Sequence, residues 1–214
     1  MVAPSVQIVR WRDMTDFHSY APAEGHRLPH DPFNAIIAPR PIGWIASVSA
    51  EGKRNLAPYS FFNAFNYRPP IIGFASTGAK DTLANIRATG EFVWNLATRA
   101  QAEAMNATSA TTDADEFTLA GLDTLASTTV APPRVAGSPV QFECRSTQIV
   151  RLTDHAGGEI DTWLVLGEVV QVHIDPALLE DGIYRTERAH PILRGGGAGD
   201  YFEPGERFDL RRPK

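Results

Sequence analysis

Hydrophobic and polar positions alternate in short runs along much of the chain, which is the pattern of β-strands. In the segment Ile42 to Ser49, large side chains occupy every second position and mostly smaller ones lie between them. This alternation predicts a strand with one large-residue face and one smaller face. The next residues, Ser49 to Lys53, contain Gly52 and predict a hairpin turn. The returning segment, Asn55 to Phe62, contains Pro58, which cannot donate to a ladder, so we expect an irregular or edge strand there.

Four further segments have strand patterns. Pro70 to Ser76 is apolar on both faces and predicts a buried strand, and Glu91 to Leu96 predicts another. Val140 to Leu152 and Ile160 to Ile174 are long and rich in β-forming residues, and the turn between them contains two glycines. We therefore expect these last two strands to form an antiparallel hairpin at the centre of a sheet.

Helical patterns are short and few. Asp81 to Ala88 predicts a helix that ends before Gly90, and the Ala-rich segment Arg99 to Ala107 predicts a second. Thr108 to Asp115 is small and polar, as in a surface loop. Many short strands, few helices and no internal repeat indicate a mainly β, single-domain chain folded as a closed or partly closed antiparallel barrel.

Composition and charge limit the classes of partner and the cellular location that we expect for this protein. The 214 residues are 43% hydrophobic and 21% charged, an ordinary globular balance. With 20 Lys and Arg against 25 Asp and Glu, the net charge of −5 argues against nucleic acid as a partner. Cys144 is the single cysteine, so no internal disulfide is possible. The apolar run Val6 to Val9 is too short for a membrane span or a signal segment, and we expect a soluble, cytoplasmic protein.

Familiar catalytic motifs are missing from the sequence. It has no G-x-S-x-G elbow, H-E-x-x-H pair, Walker A loop or C-x-x-C pair. The glycine run Gly195 to Gly199 follows no clear strand and opens no apolar helix, so it is a poor Rossmann loop. His26 and His30 are four residues apart, but Pro29 makes a shared helical face improbable, and no metal site is expected.

The densest chemistry lies between Ala38 and Asn63 and returns near Lys80. Arg40 and Lys80 are fixed cations, and Ser47, Ser76 and Thr82 are hydroxyl donors that a barrel can bring near them. Together with the amide groups at the start of the Asp81 helix, they form a plausible cradle for a phosphorylated planar cofactor. Each residue taken alone is better explained as a solvated charge, a turn residue or a helix cap.

These segments resemble the flavin reductase-like family of FMN-binding split barrels, which includes flavoredoxins and the reductase components of two-component monooxygenases. The resemblance covers roughly residues 30 to 210, and the ordered succession of motifs is more specific than any one of them. It implies a Greek-key antiparallel split barrel with a few short peripheral helices, formed by residues 31–214 after an N-terminal extension, residues 1–30. The matching strings are Arg40 to Ser47, Asn55 to Asn63, Pro69-Pro70, Lys80-Asp81-Thr82 with Asn85-Ile86, Gly90 to Val93, Asn95-Leu96, Gly167 to His173 and Pro191 to Tyr201.

Site residues follow from the same resemblance. It implies that Arg40, Lys80 and Thr82 lie near the FMN phosphate, with Ser47 and Ser76 as further candidates. It also implies that the edge of the isoalloxazine ring meets Asn55, Leu56, Ala57 and Ser60, largely through backbone groups, with Phe61, Phe62 and Asn63 alongside. Pro41 is a further implied FMN contact. No catalytic side chain is certain; His173 is a candidate contact of the nicotinamide, or else an ordinary histidine at a strand end.

The implied activity is hydride transfer from NADH or NADPH to FMN, with electrons passed to an acceptor or a partner such as a monooxygenase. The alternative is a non-catalytic electron carrier of the flavoredoxin type, reduced by another protein. The resemblance also implies a homodimer with FMN near the interface, covering apolar surface such as Trp44, Phe62 or Trp163, although Trp163 suits core packing better. Nicotinamide preference, the electron acceptor and whether FMN is retained or released are not fixed by any motif.

Overall fold

A computed structural model describes residues 17–213, so the run Val6 to Val9 and most of the N-terminal extension lie outside the described residues. Over the described residues the chain is mainly β, and the division into an extension and one domain stays a prediction. The strands are β1 Arg40–Pro41, β2 Gly43–Val48, β3 Arg54–Tyr59, β4 Phe62–Tyr67, β5 Pro70–Thr77, β6 Glu91–Asn95, β7 Thr124–Leu125, β8 Arg134–Val135, β9 Val140–Thr153, β10 Glu159–Ile174, β11 Leu179–Glu180, β12 Ile183–Tyr184, β13 Leu193–Arg194 and β14 Tyr201–Phe202. The α-helices are α1 Phe33–Ile36, α2 Asp81–Thr89, α3 Ala102–Ala107 and α4 Glu116–Leu119.

Seven antiparallel strands form the main sheet, in the order β3-β2-β6-β9-β10-β5-β4. β3 and β4 stand at opposite ends of this order, yet only Ser60 and Phe61 join them. Two linking residues span at most about 10 Å, so the sheet must curl until its ends meet. At this seam, the amide of Ala75 on β5 donates to the carbonyl of Phe61 at 2.8 Å, which continues the β4–β5 pairing into the link. The predicted split barrel is therefore confirmed.

The long hairpin of β9 and β10 occupies the middle of the sheet, as the sequence predicts. β3 is an edge strand, which accommodates Pro58. The predicted return strand Asn55 to Phe62 was wrong at its end, because β3 stops at Tyr59 and a separate strand, β4, begins at Phe62. Periodicity alone cannot show that the chain changes from one end of the sheet to the other within two residues.

β2 is buried on both faces, because the barrel encloses one core and the short helices cover another. Ile45 packs into the first core, whereas Trp44 and Ala46 pack into the second. Trp44 is fully buried, which excludes it from the apolar surface that was expected to be covered by a second subunit. Phe62 is half-buried and stacks on Trp94, with ring centroids 5.6 Å apart.

The helices position one side of the site. α2 buries Leu83 and Ile86 and ends at Gly90, whose φ of 75° is left-handed, as the sequence predicts. The predicted second helix begins as a 3₁₀ turn, Arg99–Gln101, and is an α-helix only from Ala102. The short helix α4 was not predicted, and it carries Glu116 into the site described next.

Candidate functional site: a polar cavity beside the barrel seam

A cavity of about 470 Å³ lies where β3, β5 and the start of α2 meet the loop after α3. This volume is within the range of small-molecule and cofactor sites, about 300–1,000 Å³. The barrel forms one wall and the loop from Thr108 to Thr112 forms the other. The cavity is lined by Asn55, Ala57, Pro58, Tyr59, Ser60, Phe61, Ala75, Thr77, Lys80, Asp81, Thr82, Thr108, Ser109, Ala110, Thr111, Thr112 and Glu116.

One end of the cavity is suited to an anion. Lys80 precedes α2, and no side chain caps the first amides of this helix. Uncapped amides at a helix start attract negative charge. Thr82 on the helix and Thr77 at the end of β5 add hydroxyl groups to the same wall. This end therefore combines a cation, a helix dipole and hydroxyl donors, as the sequence predicts for Lys80 and Thr82.

A buried polar network supports that wall from behind. The side-chain amide of Asn55 donates to the hydroxyls of Thr82 at 2.8 Å and Ser47 at 3.4 Å. Asn85 on α2 donates to the same Ser47 hydroxyl at 3.1 Å. All four side chains are buried, so these bonds fix the position of α2 against β2 and β3. Ser47 thus supports the cavity wall without lining it.

The other end of the cavity offers two free backbone donors. Ser60 and Phe61 line it, and their amides donate to no protein group among the described residues. The neighbouring Leu56 amide donates to Glu116 Oε2 at 3.2 Å, and Pro58 has no N–H. The link between β3 and β4 therefore presents the available donors at this end, because the Phe61 carbonyl pairs with β5 whereas neither amide of the link is used in a ladder.

Two acidic residues in the cavity wall were missed by the sequence analysis. Glu116 is buried on α4, and burial raises the pKa of its carboxyl group, with smaller contributions from Asp115 and Asp81. Asp81, the first residue of α2, lines the same wall. No sequence signal marks Glu116. The hydroxyl-rich string Thr108 to Thr112 is visible in the sequence, but its small polar residues predict only a surface loop.

That loop is anchored from the core. The Trp44 indole N–H donates to the Thr108 hydroxyl at 3.0 Å, and this hydroxyl donates to the Met105 carbonyl at 2.7 Å. Both Trp44 and Thr108 are buried. The loop therefore begins at a fixed point and forms a defined wall of the cavity.

Several predicted site residues do not line the cavity. Arg40 is buried and donates to three carbonyls, those of Ser60 at 3.1 Å, Asn34 at 2.5 Å and Gly195 at 3.0 Å. It joins the link between β3 and β4 to the segments before β1 and after β13, and its direct contact with a phosphate stays a prediction. The others outside the lining are Pro41, Ser47, Leu56, Phe62, Asn63 and Ser76.

The Tyr59 hydroxyl is buried and has no hydrogen-bond partner within residues 17–213. Burial raises its pKa despite the nearby hydroxyls of Thr82 and Ser76.

His173 lies near the far end of β10, ten residues from Trp163, the register partner of Ser76. Its Nε2 is 2.7 Å from Glu143 Oε1, so within one chain it does not reach the cavity. Its contact with a nicotinamide stays a prediction.

Fold and site together define a split-barrel protein of the flavin reductase-like class. The family model described as "Flavin reductase like domain" matches residues 37–193, so the chain belongs to this family. A relative from Halalkalibacterium halodurans is 34% identical over 83% of this chain and 87% of its own length.

Solved structures agree with this assignment. Nitrilotriacetate monooxygenase component B from Bacillus cereus is 31% identical, covers 91% of this chain and 99% of its own, and superposes with a TM-score of 0.81. The 2-nitrobenzoate 2-nitroreductase NbaA of Pseudomonas fluorescens is 30% identical, with 85% and 88% coverage and a TM-score of 0.75. In residues 17–213 there is no helix long and apolar enough to cross a membrane. The same residues hold no cluster of three or more His, Cys, Asp or Glu placed to bind a metal.

Proposed function

We propose that the chain binds FMN in the 470 Å³ cavity and acts as an NADH- or NADPH-dependent flavoprotein oxidoreductase. The observation that carries the proposal is the placement of a cationic, hydroxyl-rich end and a pair of free backbone amides in one cavity. The first suits a phosphate and the second suits the carbonyl groups at the edge of a flavin ring. When bound, FMN accepts hydride and delivers electrons, chemistry that no side chain of the protein supplies.

The residues of the chain have separate roles in this proposal. Lys80, Thr82, Thr77 and the first amides of α2 bind the phosphate, and the network behind them keeps α2 in place. The amides of Ser60 and Phe61 stabilise negative charge at the edge of the ring. The Thr108 to Thr112 loop excludes water from one side, as efficient hydride transfer requires.

The proposal extends to the assembly and its surroundings. We infer a cytoplasmic homodimer in which the second subunit completes the flavin site, and an electron acceptor that is a small molecule or a partner protein such as a monooxygenase. The similarity to a monooxygenase component and to a nitroreductase supports a redox role of this kind. The alternative is an electron carrier whose flavin is reduced by another protein. Reduction of the bound flavin by NADH or NADPH alone distinguishes the enzyme from this carrier.

The experiment measures FMN uptake and reduction in the purified protein. After loading with FMN and removal of the excess, we expect about one flavin per chain and rapid anaerobic bleaching of its absorbance by NADH or NADPH. Lys80→Ala should weaken FMN affinity about tenfold or more, because hydrogen bonds to charged groups contribute about 1.5–3 kcal/mol. A flavin that binds but is not bleached by either nicotinamide would favour the carrier.

Lys53→Ala is the matched control, because Lys53 is an exposed lysine in the β2–β3 turn that does not line the 470 Å³ cavity. Its FMN affinity should equal that of the wild type. A large effect of Lys53→Ala with none of Lys80→Ala would show that the phosphate lies on the Lys53 side of Asn55 and not on the Lys80 side. A folded wild-type protein that takes up no FMN would disprove the flavin function itself.

A further inference from the structure

Two arginines face each other across the short ladder that joins β1 to β13. Arg40 is the register partner of Arg194. Side chains directly opposite in an antiparallel ladder lie on the same face, and like charges in this position destabilise the pairing. Burial and, secondly, the positive charge of Arg194 lower the pKa of Arg40. The two guanidinium groups therefore lie close enough to repel each other.

The repulsion is not relieved by an acidic side chain. Within residues 17–213, neither Arg40 nor Arg194 has a carboxylate oxygen within 4.0 Å. Asp200 is the acid of the adjoining loop, and its carboxylate instead accepts from the Gly197 amide at 2.9 Å. Two neighbouring cations without a counter-ion create a local positive potential that favours an anion.

Arg194 is held in place while part of its guanidinium stays available. It donates to the carbonyls of Asp200 and Ala198, each at 2.9 Å, and lies 4.9 Å from the centroid of the Tyr201 ring. Its Nε–H makes no hydrogen bond to a described residue, whereas Arg40 is engaged by three carbonyls. Arg194 is thus the member of the pair that can bind an external anion.

A second cavity, of about 240 Å³, lies beside Arg194. Arg194 and Tyr201 form part of its wall, and Ile42 and Met105 give it an apolar side. Its lining shares four residues with the proposed flavin cavity, so the two cavities adjoin along a common wall. The shared residues are Pro58, Tyr59, Ser60 and Ser109.

We propose that this second cavity binds a small aromatic carboxylate, with Arg194 holding the carboxylate. The proposal is argued from this cavity alone and does not depend on the proposed flavin function. The guanidinium recognises carboxylate geometry, and the Tyr201 ring with the apolar side accommodates an aromatic ring. A volume of 240 Å³ lies below the usual range of about 300–1,000 Å³ for drug-sized ligands and cofactors, so it suits a ligand of a single substituted ring and not a dinucleotide.

The test is calorimetric titration of benzoate and of benzamide, its neutral analogue, into FMN-loaded and FMN-free protein. For the wild type we expect benzoate to bind at least tenfold more tightly than benzamide. Arg194→Gln should remove this preference, and Arg194→Lys should retain part of it because the positive charge remains. Circular dichroism of both variants verifies folding, and FMN titration of each should give wild-type affinity, since Arg194 does not line the flavin cavity.

Arg151→Gln is the control, because Arg151 also lies over an aromatic ring, that of Trp163 at 5.3 Å, and also donates to a backbone carbonyl. Equal affinity for benzoate and benzamide in the wild type, or an unchanged preference in Arg194→Gln, would overturn the proposal. So would binding of NADH that depends on Arg194 in a protein that does not bind benzoate. Because benzoate binding is also measured without FMN, failure of this site is distinguishable from failure of the flavin function.

Discussion

Glu143 is a fully buried carboxylate on β9 that is surrounded by donors. It accepts from the amides of Thr128 at 2.7 Å, Thr129 at 2.6 Å and Val130 at 3.2 Å, from the Thr129 hydroxyl at 2.7 Å, and from His173 Nε2 at 2.7 Å. Burial alone would raise its pKa, but the hydrogen bonds from Thr128, Thr129 and His173 together outweigh burial and lower the pKa to about 2. The ionised group therefore fixes the segment before β8 to the barrel.

This arrangement predicts a pH-dependent contribution to stability. Because the folded-state pKa lies below the ordinary value of 4.5, the stabilisation is fully present above pH 4.5 and is lost as the pH falls towards 2. Glu143→Gln should lower the free energy of unfolding by about 2–4 kcal/mol at pH 7, because charged hydrogen bonds are lost. Urea unfolding at pH 7, 4.5 and 3 should show the difference from the wild type shrinking at pH 3.

Glu206→Gln, an exposed glutamate in the C-terminal tail, should leave stability unchanged at each pH. A difference between Glu143→Gln and the wild type that stays constant from pH 7 to pH 3 would contradict the assigned ionisation.

At the scale of elements, the packing of the Phe92 ring of β6 against β10, across the intervening strand β9, depends on a glycine. A Cβ on Gly167 would lie 2.4 Å from Cε1 of Phe92, a fully buried ring of the barrel core. Phe92 in turn packs edge-on against Phe74, with ring centroids 5.8 Å apart. Phe92 therefore has little room to move, and Gly167 is required for steric reasons.

Gly167→Ala should consequently destabilise the barrel. Overpacking of a core costs about 1–3 kcal/mol, which corresponds to a fall in Tm of about 2–12 °C for a chain of this size. Gly199→Ala is the control, because an added Cβ there meets no atom within 4 Å, and its Tm should match that of the wild type. Differential scanning calorimetry measures both, and equal Tm values for the two variants would show that the barrel relaxes around Phe92.

At the scale of the molecule, β4 leaves a surface that suits a subunit interface. It is the end strand of the sheet, and its Phe65 and Tyr67 are 53% and 79% exposed. Large exposed aromatic side chains on an unpaired edge favour association with another chain. In the proposed homodimer, the apolar surface covered by the second subunit is therefore that of Phe65 and Tyr67, because Trp44 is buried within its own chain.

Replacing Phe65 and Tyr67 together by lysine should convert the proposed dimer into a monomer, because four like charges would meet across a two-fold interface. Sedimentation velocity measures the change in mass. Phe208→Lys alters an aromatic residue of the tail that is also 79% exposed, and it should leave the mass unchanged. A wild-type protein that sediments as a monomer, or a double variant that stays dimeric, would exclude this interface.

The sequence by itself determined the local structure of the protein. The strand alternation, the helix ending at Gly90, the edge position of the Pro58 strand and the central hairpin all follow from short-range preferences, and the structure confirms them. The ordered motifs also identified the family. These properties can be predicted because backbone conformation and burial impose periodic patterns on neighbouring residues.

Only the tertiary structure decided which side chains meet. The sequence predicts that Lys80, Thr82 and Asn55 share a site, and they line one cavity. The sequence did not show that Arg40 binds three carbonyls or that Glu116 enters the cavity wall. The contact between Leu56 and Glu116 joins residues 60 positions apart, and the one between Arg40 and Gly195 joins residues 155 positions apart. They depend on how the sheet closes. The residues next to a charged side chain in the sequence do not show which partner it meets in the closed barrel.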